Sequence, residues 1–199
     1  MSPLSSPSSS LLLETIRIEN GEIHNLSYHQ KRCNHTRKTL FNSDDILNLI
    51  ESIKAPKKGL YRCRILYAET LHSIEYIPYT PKEIHSIKIV KADIHYAFKY
   101  ANRDTFADLL TEHNDVDEII IEKDGYLSDI TIANIAFFSE GKWYTPATPL
   151  LQGTMRQKLL DDGFLQPRDI KKDDLHRYTQ VALINAMLGF TILNHFNIR

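Results

Sequence analysis

Four stretches of the 199-residue chain carry side chains suited to chemistry. Lys99 ends an alternating run, Ile94-His95-Tyr96-Ala97-Phe98, that reads as a strand, and Asp104 then opens a helical pattern. A lysine at a strand end, beside Asn102-Arg103, is placed for desolvation. That lowers its pKa and makes the amine available for Schiff-base chemistry. A solvated surface lysine is the ordinary alternative. Asp129 stands at the centre of Leu127-Ser128-Asp129-Ile130-Thr131-Ile132, otherwise a buried-strand sequence. Aspartate is disfavoured in strands and costly to bury unless a positive group pairs with it; a turn-edge position is the bland account. Gly153-Thr154-Met155-Arg156 opens a helix, where backbone N–H groups and the positive dipole end suit a phosphate, or simply form an ordinary cap. Arg32 follows His29 by three residues on an early helix, so the two share a face.

These residues need elements to hold them. Leu12–Ile18 reads as a strand, and Glu19-Asn20-Gly21-Glu22 carries the Asn-Gly hairpin signal before Ile23. Ser27 is expected to cap a helix from Tyr28 to about Leu40. Ser43 is expected to cap a second from Asp44 to Ile53, with Ile46, Leu47, Leu49 and Ile50 on its apolar side. Strand-like runs follow at 60–68, 72–77, 84–90 and 94–99, and their alternation and short turns predict an antiparallel sheet in this half. A helix is expected over 104–112. The second half reads as strands at 117–122, 127–132, 136–139 and 142–144, then a helix from Gly153 to about Asp162. A short helix from Asp173 or Asp174 to near Tyr178 and strands at 181–183 and 190–194 complete the chain. Strands with helices interposed fit the α+β class better than a doubly wound sheet.

Composition narrows the function classes. The net charge is −1 and 42% of residues are hydrophobic, so nothing invites nucleic acid or an anionic membrane. No apolar run approaches the roughly 20 residues of a membrane span. Cys33 and Cys63 have no ligand-like spacing and read as reduced thiols of a cytoplasmic protein. The Ser- and Pro-rich residues 1–10 read as a disordered tail. No GxGxxG, Walker loop, HExxH or nucleophile elbow occurs, and the nine scattered histidines make no metal set.

Taken in order, five segments resemble the class IV aminotransferase family, the fold-type IV enzymes that use pyridoxal 5′-phosphate. Leu13-Glu14-Thr15-Ile16-Arg17 with Asn20-Gly21 is similar to the family's opening strand and turn, and Leu26 to Arg32 to its His-x-x-Arg helix. Gly125 to Phe137 resembles the acidic-residue-to-Asn-x-Phe segment. Gly141 to Pro146 and Leu151 to Arg156 resemble the Thr-Pro and Leu-x-Gly-x-x-Arg segments. Within the family, Lys99-Tyr100-Ala101-Asn102-Arg103 and Leu183-Ile184-Asn185-Ala186-Met187 are similar to segments of 4-amino-4-deoxychorismate lyases.

The resemblance implies a small N-terminal α/β domain (residues 11–92) and a larger strand-rich, pseudo-barrel cofactor-binding domain (93–199), paired in a homodimer. It implies that Lys99 is the Schiff-base lysine and moves the substrate proton. Arg32, with Thr154 and Met155, would hold the cofactor phosphate. Asp129 would pair with the protonated pyridine nitrogen, with Asn185 also in the cofactor set. Arg64 and Arg103 are candidates for the substrate's carboxylates, with Arg62 as open an option as Arg64. The activity implied is conversion of 4-amino-4-deoxychorismate to 4-aminobenzoate and pyruvate for folate synthesis. A class IV aminotransferase for branched-chain or D-amino acids and a diverged non-catalytic relative are the alternatives. Two departures stand out: Asp129 occupies a position where the family has glutamate, and the region between Arg32 and Lys99 is short.

Overall fold

The computed structural model describes residues 11–199; the expected disordered tail, 1–10, lies outside the described residues. The chain forms two compact units, one running to Thr80 and taking in Phe98–Asn102, the other comprising Pro81–Ala97 and Arg103–Arg199. The division therefore falls at Thr80/Pro81 rather than at the expected 92/93, because the strand at Ser86–Lys91 pairs within the second unit.

The first unit is an antiparallel sheet with one long helix. Its strands are β1 (Leu12–Glu19), β2 (Glu22–Ile23), β3 (Leu60–Tyr67) and β4 (Leu71–Pro78), in the order β2-β1-β3-β4. Asn20 and Gly21 both take positive φ (50° and 89°), as an Asn-Gly type I′ turn requires. Helix α1 (Leu26–Phe41) starts from Asn25 rather than from the expected Ser27 and ends on Asn42, which is left-handed. On the inner face of the sheet, Leu12, Ile16 and Ile18 of β1 meet Cys63, Ile65 and Tyr67 of β3. Arg17, Arg62 and Arg64 belong to the alternate, outer face.

The expected helix over 44–53 forms only as α2 (Leu49–Ser52). A longer helix needs the Asp45 carbonyl to bond the Leu49 N–H. Instead buried Arg37 donates to the Asp45 carbonyl, and the Leu49 N–H donates to Gln30 Oε1 at 2.9 Å. Ser43, the expected cap, accepts from Arg37 at 3.0 Å. Ile46 is consequently 70% exposed while Leu49 is fully buried.

The run at 94–99 is not a strand either. Ile94 and Tyr96 are buried and their neighbours exposed, but alternation reports one-sided burial and not pairing. Ladder-type bonds resume only where Lys99 O accepts from Leu13 N–H and Ala101 N–H donates to Leu11 O, both at 2.8 Å.

The second unit holds two sheets around one core. The first contains β5 (Ser86–Lys91), β6 (Glu118–Lys123), β7 (Tyr126–Ile130) and β13 (Asn197–Ile198), ordered β13-β5-β6-β7. Here β5 runs parallel to both β6 and β13, which corrects the expected antiparallel first half. The second sheet contains β8 (Asn134–Ser139), β9 (Lys142–Pro146), β10 (Leu165–Arg168), β11 (Gln180–Asn185) and β12 (Gly189–Ile192), ordered β10-β9-β8-β11-β12. Ile87, Ile120, Ile135, Phe137, Val181 and Leu183 share the core between the sheets. The intervening residues Ala136, Trp143, Ala182 and Ile184 face the opposite side, where Leu159 and Met155 of α4 (Thr154–Asp161) cover them. Helix α3 (Asp104–Glu112) has the expected bounds, and a 3-10 turn at Lys172–Arg177 stands in for the expected short helix. The fold is α+β with a half-barrel of strands. Among the described residues, no helix is long and apolar enough to cross a membrane.

The interrupted 44–53 segment is open to test. Leu49→Ala should cost about 2–5 kcal/mol in chemical denaturation, whereas Ile46→Ala should stay within about 0.5 kcal/mol. Equal losses at both positions would mean that the longer helix forms and packs.

Candidate active site

In the first unit the inward face of β1 carries one charged residue among its apolar ones, Glu14, which has no solvent exposure. Arg32 of α1 grips it with two bonds, Nε to Oε1 at 2.8 Å and Nη2 to Oε2 at 2.6 Å. His29, one helical turn earlier, sits with Nδ1 2.6 Å from the same Oε2. Burial on its own would raise the Glu14 pKa, but the Arg32 charge and the His29 and Arg32 hydrogen bonds outweigh it and hold the carboxyl down at about 2. Burial lowers the His29 pKa against the pull of Glu14. A neutral His29 donating Nδ1–H to the carboxylate follows from the hydrogen-bond pattern.

Lys99 joins this group through the backbone. Its carbonyl takes the Leu13 N–H, so the segment is fastened beside the residue preceding Glu14. Its charge also adds to the lowering of the His29 pKa. Arg64 lies on the outer face of the same sheet, opposite Thr15, and its Nη1 pairs with Glu75 at 3.1 Å. Arg32, Lys99 and Arg64 thus all belong to the first unit.

The second unit carries the rest. A β-bulge between β6 and β7 lets Leu127 and Ile130 both enter the core and turns Ser128 and Asp129 toward the loop before α4. Ser128 Oγ donates to the Thr148 carbonyl at 3.1 Å, and the Leu151 N–H donates to Asp129 Oδ2 at 3.0 Å. Asn134 Nδ2 donates to Asp129 Oδ1 at 2.8 Å and to the Leu151 carbonyl at 2.9 Å. Gly153 must be glycine: a Cβ there would come 2.0 Å from Asn134 Oδ1. Burial pushes the Asp129 carboxyl up to about 6, against these hydrogen bonds and the more distant Arg156 charge.

Arg156 is buried on α4 and donates to the Pro146 carbonyl and to Gln152 Oε1, each at 2.9 Å. The N-cap residue of α4 is Gly153, which has no side chain to cap with, and Thr154 behind it is buried. Met155 packs on the core beneath. Asn185 brackets a turn, accepting from Met187 and Leu188 N–H at 2.9 and 2.8 Å and donating to Ile132 O at 3.2 Å. Arg103 is more anchored than a substrate-facing cation would need. Its Nη2 donates to the Thr131 carbonyl at 2.5 Å and its guanidinium lies 4.7 Å from the Phe106 ring centre.

Glu14, His29, Asn134 and Arg156 are absent from the expected site set. Glu14 left a legible signal, a carboxylate at an inward position between Leu12 and Ile16. Asn134 left a weaker one in the Asn-x-Phe resemblance, and the Leu-x-Gly-x-x-Arg resemblance marks Arg156 without giving it a role.

The arrangement amounts to a bidentate arginine–carboxylate pair beside a lysine in one unit. The other holds a buried carboxylate with no ion-pair partner among the described residues and a helix whose N-cap residue is Gly153. These donors fit a phosphorylated, cationic ring cofactor. In the first unit, Arg32 suits an anion such as a phosphate; in the second, the start of α4 suits a phosphate, and Asp129, whose burial disfavours its charge, suits a protonated ring nitrogen.

The model of amino-transferase class IV matches residues 11–195. An uncharacterized protein of Haemophilus influenzae is 38% identical over 184 residues, 89% of this chain and 98% of the relative. A solved structure from Haemophilus somnus 129PT, described as a candidate 4-amino-4-deoxychorismate lyase, is 34% identical with a TM-score of 0.81, covering 91% of this chain and 98% of that one. The pyridoxal-phosphate-bound form of a hypothetical aminotransferase from Mycobacterium tuberculosis shares the fold, with a TM-score of 0.76 at 14% identity over 99% of this chain and 86% of that one. With the family's segments spanning nearly the whole described chain, the protein belongs to the class IV aminotransferases, a family of pyridoxal-phosphate-dependent enzymes.

Proposed function

We propose that this chain is a pyridoxal-phosphate-dependent lyase, working in the cytoplasm as a homodimer, that converts 4-amino-4-deoxychorismate to 4-aminobenzoate and pyruvate in folate synthesis. The observation that carries the reading is the 34% identity, over nearly the full length of both chains, to the candidate lyase of Haemophilus somnus. The Lys99-x-x-Asn102-Arg103 and Leu183–Met187 segments support it over the aminotransferase alternative.

Bound pyridoxal phosphate supplies an electron sink for the carbon that carries the substrate amine. Arg32 and the start of α4, with Thr154 and Met155, hold the phosphate. Glu14 fixes the Arg32 fork so that its outer edge is presented in one orientation. Asp129, positioned by Asn134 and the Leu151 N–H, receives the ring nitrogen. The shorter aspartate is served by the bulge that turns it toward the loop before α4. The Lys99 amine takes the proton from the amine-bearing carbon. The enolpyruvyl ether then breaks at its ring carbon and the released enolpyruvate gains a proton to become pyruvate, while the ring becomes aromatic. Arg64 serves a substrate carboxylate, and Arg103 serves to position the start of α3.

Three outcomes test this reading. Cofactor-loaded protein should release 4-aminobenzoate and pyruvate in equal amounts from 4-amino-4-deoxychorismate, and Lys99→Ala should lower that rate by at least about a hundredfold. Efficient conversion of the cofactor spectrum by leucine or D-alanine would favour the aminotransferase instead. Glu14→Gln should cost about 3–5 kcal/mol at pH 7, since it takes the anion away from buried His29 and largely buried Arg32. The pH dependence has a defined sign. Because the Glu14 carboxyl is held at about 2, below the usual 4.5, its contribution is complete above pH 4.5 and drains away as pH falls toward 2. The wild type should therefore lose about 3 kcal/mol more than Glu14→Gln across that window. Parallel stability curves for the two proteins would contradict the assignment.

A further inference from the structure

Among the described residues, two buried side-chain polar atoms lack a hydrogen-bond partner, His24 Nε2 and Arg62 Nε. They lie in one row. Arg62 of β3 stands directly opposite Arg17 of β1, and the His24 N–H donates to the Arg17 carbonyl at 3.0 Å, which places His24 on the other side of Arg17. Ile16, Ile18, Ile23 and Cys63, their neighbours in sequence, face the inner core, so His24, Arg17 and Arg62 share the outer face. Two arginines directly opposed across strands repel one another and weaken the sheet unless an anion lies between them. The protein supplies Glu19, which binds Arg17 at 2.7 Å but comes no closer than 4.0 Å to His24 Nε2. Arg64, the next arginine along, has its own partner in Glu75. Glu22, opposite Glu19 on the same face, lies 3.9 Å from His24 Nδ1, so Glu19, Glu22 and Glu75 are each engaged with Arg17, His24 or Arg64. Among the described residues, Arg62 is the arginine of the face with no carboxylate within ion-pair distance. Nε2 of His24 and Nε of Arg62 are themselves buried, but the Arg17 and His24 side chains are about a quarter to a third exposed (26% and 31%) and Arg62 is half-buried, so the row reaches solvent at its edge.

We propose that the His24–Arg17–Arg62 row is an anion site that takes a carboxylate of the substrate remote from its reacting amine. Only the owner of that carboxylate rests on the function proposed above. Leu13, whose N–H the Lys99 carbonyl accepts, is on the same face as Arg17 and four residues from it, roughly 13 Å along the strand. That separation is on the scale of a lysine side chain followed by a ring substrate. A carboxylate suits the row because each oxygen can accept from a different guanidinium.

The test is calorimetric binding of benzoate, with neutral benzamide and inorganic phosphate as controls, to the full chain and to Arg62→Gln and Arg17→Gln. Benzoate should bind the wild type, benzamide should not, and either variant should weaken benzoate at least about tenfold. Ligand-free Arg62→Gln should melt at the wild-type temperature or above it, because a repelling, unpartnered charge is gone. With substrate, the loss should fall on KM rather than kcat. Unchanged benzoate affinity in Arg62→Gln, benzamide binding as well as benzoate, tighter binding of phosphate, or a ligand-free melting temperature lowered by several degrees would each overturn the proposal. The cofactor spectrum separates the two readings: without a lysine-bound cofactor band the function falls, while the benzoate titration still decides the row.

Discussion

A carboxylate with no solvent exposure, Glu14, governs how the first unit is assembled. Leaving such an ion unpaired costs several kcal/mol, so the chain must bring donors to it. Arg32 and His29 come from consecutive turns of α1, and meeting Glu14 with both fixes the helix in rotation and in height against β1. The buried stripe of α1 is accordingly His29, Cys33, Thr36 and Arg37. Arg37 repeats the device at the far end of the helix, where it draws in the Asp45 and Glu69 carbonyls and so prevents a second long helix.

The second unit holds its own buried carboxylate under the opposite regime. Asp129 accepts hydrogen bonds from an amide side chain and a backbone N–H, and no guanidinium touches it. One carboxyl is therefore held near 2 and the other near 6. The pattern of two like groups driven apart by their surroundings is how a fold assigns different tasks to them. Glu14 is a permanent anion that orients an arginine. Asp129 gains its charge most readily when a cation arrives.

What could be read from the chain was mostly local. Asn20-Gly21 specifies its turn by positive φ, and Asp104 to Glu112 and Thr154 to Asp161 form helices where the pattern put them. The failures share a cause. The 44–53 helix has good periodicity, but side chains distant in sequence, Gln30 and Arg37, capture the backbone groups it needs. The 94–99 run alternates without pairing. Parallel partners such as β5 with β6, and β9 with β10, leave no hairpin signal between them. Of the proposed site, Lys99, Arg32, Asp129 and the start of α4 were visible as residue types in order. Their supporting groups were less so: the inward position of Glu14 in the alternation of β1 was legible, but its meeting with Arg32 and His29 was not, and Asn134 acquires meaning only once β8 is known to bury it.

The central claim is that Lys99 carries the cofactor. Incubation of the purified chain with pyridoxal phosphate, reduction with borohydride, proteolysis and peptide mass measurement test it directly. The account predicts a stable phosphopyridoxyl increment on the peptide containing Lys99, absent in Lys99→Ala. No increment, or one spread over surface lysines in wild type and variant alike, would contradict it.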